Sequence, residues 1–335
     1  MHAGKSYSLG EFLVWTRRKI LWLLILGTIP VALYELLHLK WLAIPFTIIA
    51  LIGTATAFII TFRNQETYNR TWEARKIWGA TISATRSWAM LCRDFLKDAT
   101  RSRELIYRHL AWLTVLRYQL RTPRDWENAS KIYNKEYKRY YSIPELETPL
   151  EQELIKYISP SEFKSVSGCQ NMATQLLSLQ SHTLKKFWEE GSLDEYRFLD
   201  MHEALRDFSR YQGQSERIKN FPYPRQYVTV NELFVKLFCI LLPFGLLEEF
   251  DKLNDKMTGF LQGNMVWLVI PFSVLISWVF TSLEQVGEST ENPFEGSPND
   301  VPISQMSRKV EIDIREMLGE VNLPPPFLPQ NEIVL

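Results

Sequence analysis

Apolar positions along this 335-residue chain gather at its two ends, with a long polar middle between them. Trp41–Phe62 runs for 22 residues without a formal charge, and Gly259–Leu283 for 25. At about 1.5 Å of rise per residue, either run as a helix covers the ~30 Å hydrocarbon core of a bilayer. Ile20–Tyr34 is shorter, but Trp22 and Tyr34 suit the two interfaces, and Arg17, Arg18 and Lys19 anchor one end. The fourth candidate, Asn231–Phe250, opens with Glu232 and Lys236. These two stand four residues apart near one end, where they pair or reach the interface instead of sitting at the costly centre. Four spans are predicted. The first run has the basic flank and apolar core of a signal peptide. That flank begins only at Arg17, no small-x-small site follows and a longer apolar run comes next, so it is predicted to remain as a helix.

Basic residues set the predicted orientation. Arg17–Lys19 precede the first span, and Arg63, Arg70, Arg75 and Lys76 follow the second. The loop Glu248–Met257 is net acidic. The positive-inside rule then puts both termini and the middle segment in the cytoplasm, with the Glu35–Lys40 turn and the acidic loop outside. Four segments result: 1–63 with the first two spans, 64–226 as a cytosolic helical domain, 227–283 with the last two spans, and 284–335 as a cytosolic tail.

The middle is predicted to be helical. From Gln65 to about Arg121, Trp72, Ile77, Trp88, Leu91, Phe95, Leu105, Leu110, Trp112 and Leu116 recur at helical spacing. "RTPRDWENAS" and "SIPELETPLEQE" break the pattern. A helix over Thr183–Gly191 ends at its glycine, and Ser192 with Glu195 has capping-box spacing for the next one. No long period-2 run occurs, so the fold class is all-α.

Composition narrows the function. A formal charge of zero argues against nucleic-acid binding, which rests on neutralising phosphates. Three scattered cysteines form no Cys-x-x-Cys pair, and the five histidines form no metal-binding spacing, so neither a metal nor a cofactor is expected. His109, His182 and His202 have no evident nucleophile partner, which leaves a membrane enzyme without a constellation.

The stretch "ATAFIITFRNQETYNRTWEARKIWGA", Ala55–Ala80, passes from membrane-grade to charged sequence with no Pro or Gly before Gly79. As one helix it sets Thr54, Phe58 and Phe62 on a single stripe, with Thr61 beside it. Two readings of the stripe are open. It is ordinary packing, or, in a rotationally symmetric assembly, it lines an axis where rings of phenylalanine make an apolar constriction. Gly53, Ala55 and Ala57 would let helices approach closely. Further along, Arg63, Arg70, Glu73 and Arg75 either form a solvated face or need partners, while Trp72 and Trp78 suggest packing on a neighbouring helix.

Phe62–Gly79, "FRNQETYNRTWEARKIWG", resembles the Phe-Arg-x-x-x-x-Tyr-x-Arg-x-x-Glu-Ala-Arg-x-x-Trp-Gly pattern of the bestrophin family, in particular its bacterial branch. "ENPFEGSPNDVP" (Glu291–Pro302), with "VEIDIREMLGE" behind it, is similar to the family's Asn-Pro-Phe segment and terminal helix. The resemblance implies a homopentamer around a central pore in a cell inner membrane. It places the neck at Phe62, Phe58 and Thr54 and a second, cytosolic aperture near Met172. The family usually has three large apolar neck residues, so Thr54 departs from the pattern. The permeant species implied are small monovalent ions, with chloride as the family default; the alternatives are a cation-selective channel of this architecture and an anchored scaffold without a pore. Animal members bind calcium after Asn-Pro-Phe. Here that stretch offers only Glu295 and Asp300, too few oxygens for the 6–8 calcium takes, and a turn docking the C-terminal tail is expected instead.

Overall fold

A computed structural model gives the fold and describes residues 1–255 and 262–335. Among these residues the chain is helical, with isolated β-bridges joining Ile333 to His2 and Gln330 but no strand. The helices are α1 (Leu9–Leu36), α2 (Phe46–Phe95), α3 (Ala99–Arg121), α4 (Ile132–Tyr137), α5 (Pro144–Glu147), α6 (Leu150–Leu154), α7 (Pro160–Val166), α8 (Met172–Glu189), α9 (Glu195–Asn220), α10 (Arg225–Asn254), α11 (Val269–Ser289) and α12 (Ile303–Met317). They form two compact units. One holds 6–69 and 223–291; the other holds 1–5, 70–222 and 292–335. The division falls inside α2, between Asn69 and Arg70, and places 284–291 with the spans rather than with the tail.

Among the described residues four helical stretches are long and apolar enough to cross a membrane, Leu9–Leu36, Lys40–Phe95, Arg225–Asn254 and Met265–Ser289, and all but the 70–95 part of the second lie in the first unit. The predicted span nearest the C-terminus begins at Gly259. Its first residues, Gly259–Leu261, lie outside the described residues, as do Lys256 and Met257 of the acidic loop. α1 begins well before Ile20. Ser8 caps it, accepting from the Glu11 backbone N–H while the Glu11 carboxylate accepts from Ser8 N, a reciprocal box legible in "SLGE". Within the unit, α11 packs on α1 and α10. At one end of this bundle Asp251 accepts from the Tyr34 hydroxyl (2.7 Å) and Lys40 (3.1 Å), so the Glu35–Lys40 turn and the acidic end of α10 share a side. At the other end Lys19 donates to Glu284 at 3.2 Å.

The second unit is built around α3, most of whose side chains are buried, with α8 and α9 packed on it. Trp78, Trp88, Trp112 and Phe208 are buried in its core. α8 ends as expected: Gly191, at φ +70°, takes the left-handed position that closes the helix. The next start differs from expectation. Asp194, not Ser192, caps α9 by accepting from the Arg197 backbone N–H, and Ser192 is used elsewhere, its Oγ accepting from Arg101 at 3.0 Å.

Candidate functional site

The candidate site is the first half of α2, and its side chains sort by helical angle. Ile49, Gly53, Thr56, Ile60, Arg63 and Thr67 are buried within the bundle at three- and four-residue spacing. Roughly half a turn away lie Leu51, Thr54, Phe58 and Phe62. Phe58 is 62% exposed, Phe62 69% and Leu51 73%. One chain therefore leaves this apolar stripe without cover from its own helices. The Thr54 hydroxyl donates to Ala50 O at 2.9 Å, and the Thr56 and Thr61 hydroxyls donate to carbonyls one turn back. That internal bonding lets three threonines sit in an apolar segment without unsatisfied donors.

Close packing fixes the buried side. A Cβ on Gly53 would come within 2.6 Å of the Phe238 ring of α10, so only glycine permits that approach. Ala55 and Ala57, expected to serve the same purpose, remain exposed. Just past Phe62 the contacts become polar. Arg63 is buried and donates to Glu291 at 3.1 Å, while Arg225, at the start of α10, stands 3.2 Å from the other oxygen of Glu291. Asn64 donates to Leu283 O at 3.0 Å, and the Thr290 hydroxyl donates to Thr67 at 3.1 Å. Gly287 faces Asn64 so closely that any β-carbon would strike its side-chain oxygen.

The rest of the charged half of α2 belongs to the second unit. Arg70 donates to the carbonyls of Ile218 and Phe221, capping the C-terminal end of α9, where a cation suits the helix dipole. Glu73 pairs with Arg217 at the surface. Trp78 is buried against Phe294 with ring centroids 6.5 Å apart, whereas Trp72, expected to pack similarly, stays 47% exposed. Phe294 is thus a core residue, which explains why an aromatic stands in the Asn-Pro-Phe segment.

Glu295 and Asp300 are buried and engaged by the chain itself. Glu295 accepts from Asn128 N (2.9 Å), and Asp300 accepts from Gly296 N (2.7 Å) and pairs with Arg121 (3.1 Å). Burial, reinforced by Asp300 and Glu127, pushes the Glu295 carboxyl up to about 8. This turn docks the tail segment on the unit's core, and among the described residues no group of three or more His, Cys, Asp or Glu side chains is placed to hold a metal ion.

Met172 is the first residue of α8 and lies half-buried against the core, after the exposed Cys169 and Gln170. Beside it is a polar cavity of about 500 Å³ lined by Gln119, Arg124, Asn171 and Glu216 among others. Met172 and the neck candidates belong to different units. His109 is buried against Trp88, Trp112 and Phe208, its Nε2 2.9 Å from the Thr85 hydroxyl. His202 lies 3.3 Å from the Ser181 hydroxyl. The Arg63–Glu291–Arg225 cluster leaves no signal in local spacing, although Arg63 and Glu291 both sit in the motifs quoted above.

Residues 13–316 match a family model described as bacterial/fungal bestrophin protein. The chain is 29% identical over 302 residues to the voltage-dependent anion channel-forming protein YneE of Escherichia coli, covering 90% of this chain and 85% of that one. It is 29% identical over 296 residues to the similarly named RSc3414 of Ralstonia nicotianae, covering 85% and 83%. Its fold is similar to the crystal structure of a bacterial bestrophin homolog from Klebsiella pneumoniae, with a TM-score of 0.75 and 22% identity, covering 91% of this chain and 99% of that one.

Proposed function

The chain belongs to the bacterial/fungal bestrophin family, and from that premise we propose that five copies assemble into an anion channel whose neck is lined by α2. It is a membrane protein of a channel family, not an enzyme. One observation carries the reading: the helix that bears the Phe-Arg motif leaves Leu51, Thr54, Phe58 and Phe62 exposed on the side opposite its buried face. In a five-fold ring these stripes converge on the axis, and two layers of phenyl groups form a constriction that resists hydration. Thr54 is the outer residue of the neck, and with its proton given to Ala50 O its hydroxyl oxygen is left to accept from water there. Phenyl edges are electropositive, which favours anions where the rings present their rims. The curated relatives are named as anion channel-forming proteins, which supports the same choice, with chloride as the ordinary permeant ion. Met172, at the first turn of α8, narrows the second, cytosolic aperture. The protein sits in the bacterial inner membrane with both termini in the cytoplasm, in keeping with Arg17–Lys19 and Arg63 at one end of the spans and Asp251 at the other.

The test is ion flux in reconstituted liposomes with each ion replaced in turn. A reversal potential that follows chloride supports the reading, and one that follows sodium rejects the anion assignment. Phe62→Ala is expected to raise chloride flux several-fold in an intact pentamer; unchanged flux removes Phe62 from the neck.

A further inference from the structure

We propose that Glu291 is a positioning residue that fixes the rotation of α2 about its own axis, and with it the direction in which Phe58 and Phe62 point. The inference rests on the reading of α2 as the pore-lining helix. Glu291 is 1% exposed and lies just beyond the end of α11. One of its oxygens accepts from Arg63 of α2, and the other faces Arg225, the first residue of α10. A single carboxylate therefore joins three of the four spanning helices.

Two more links lie in the same turn and on the same side: Asn64 to Leu283 O and Thr290 to Thr67. Arg63, Asn64 and Thr67 stand roughly opposite Phe58 and Phe62 around the helix. Further up α2 the Phe238 ring fits only over Gly53, a steric constraint that acts in the same sense as the polar links. The polar links are directional. Turning α2 by one residue would separate all three, withdrawing the Arg63 guanidinium from Glu291 while Arg225 keeps that carboxylate. The orientation of the stripe is thus set by this cluster rather than by the phenyl groups themselves.

The experiment uses the full chain in liposomes with the exposed Cys169 replaced by Ser; Cys92 and Cys239 are buried and remain. Single cysteines at Thr54, Ala55 and Ala57 are reacted with a hydrophilic methanethiosulfonate. In the parent, Thr54→Cys reacts fastest; if it does not, the pore-lining reading fails before the present inference is reached. With Glu291→Gln added, reaction at Thr54→Cys is expected to slow about tenfold while one of its flanks, Ala55→Cys or Ala57→Cys, speeds up by a similar factor. Unchanged rates at all three sites overturn the inference, and so does a rise at all three, which reports loosened packing without rotation. If Glu291→Gln does not assemble, Arg63→Lys, which keeps the charge but loses the planar fork, is read by the same three rates.

Discussion

Glu295 and His109 show how burial of single groups shapes the response of the second unit to pH. Glu295 is held up to about 8, so between its ordinary value and that point it is neutral when folded and ionised when unfolded. The unfolded chain then binds fewer protons, and the stability this carboxyl contributes is lost as pH rises through the window. His109 is moved the other way, down to about 3, because its ring is sealed among aromatics. Below its ordinary 6.5 the unfolded chain takes up a proton that the folded one refuses, so acidification destabilises. The thermal midpoint of the purified protein is expected to fall on both sides of a maximum between these limits. Glu295→Gln should flatten the alkaline limb and His109→Gln the acid limb. Phe294→Ala should cost about 3–5 kcal/mol by emptying the space beside Trp78, measured as a lowered unfolding midpoint. Phe294 was legible as a motif residue, but its burial was not, because the partner ring comes from the far end of the sequence.

At the level of elements, helix starts and close approaches respond to different chemistry. Asp194→Ala removes the side chain that accepts from Arg197 N and should cost ~1 kcal/mol of thermal stability, whereas Ser192→Ala should cost little of the α9 start. Spacing alone favoured Ser192, since Ser-x-x-Glu fits a capping box. The turn after Gly191 instead places Asp194 at the cap and leaves Ser192 to accept from Arg101. Gly287→Ala should drive Asn64 off its bond to Leu283 O, weakening the hold of α11 on α2. Its mark would be a changed thiol-reaction rate at Thr54→Cys with helix content by circular dichroism unchanged. The length of α2 shows the same limit: the uninterrupted run from Ala55 to Ala80 and the helical spacing on to about Arg121 were readable, but not that α2 passes Gly79 and ends at Phe95, with α3 starting anew at Ala99. A lone glycine costs ~1 kcal/mol in a helix, and the buried contacts of Trp78 and Ile82 on either side outweigh it.

For the whole molecule, the outcome that matters is assembly. A stripe with Leu51, Phe58 and Phe62 mostly exposed, on a helix that also buries Ile49 and Ile60, needs cover from lipid or from other copies. Native mass spectrometry in detergent and in nanodiscs is expected to give five chains per particle, and a monomer in both would overturn the proposed channel. Four spans and an all-helical fold followed from the sequence by itself. A bilayer leaves no solvent for free backbone groups, so long uncharged runs must be helices, and period-3.6 patterning in the polar middle extends that choice to the rest. The motifs around Phe62 and Asn292 likewise marked the two segments that the Arg63–Glu291 pair joins. The tertiary structure alone decided which side of α2 is buried, and that Arg63 meets a carboxylate 228 residues away. Periodicity defines a stripe but not what it faces; that depends on which distant segments approach, and such approaches leave no trace in local spacing.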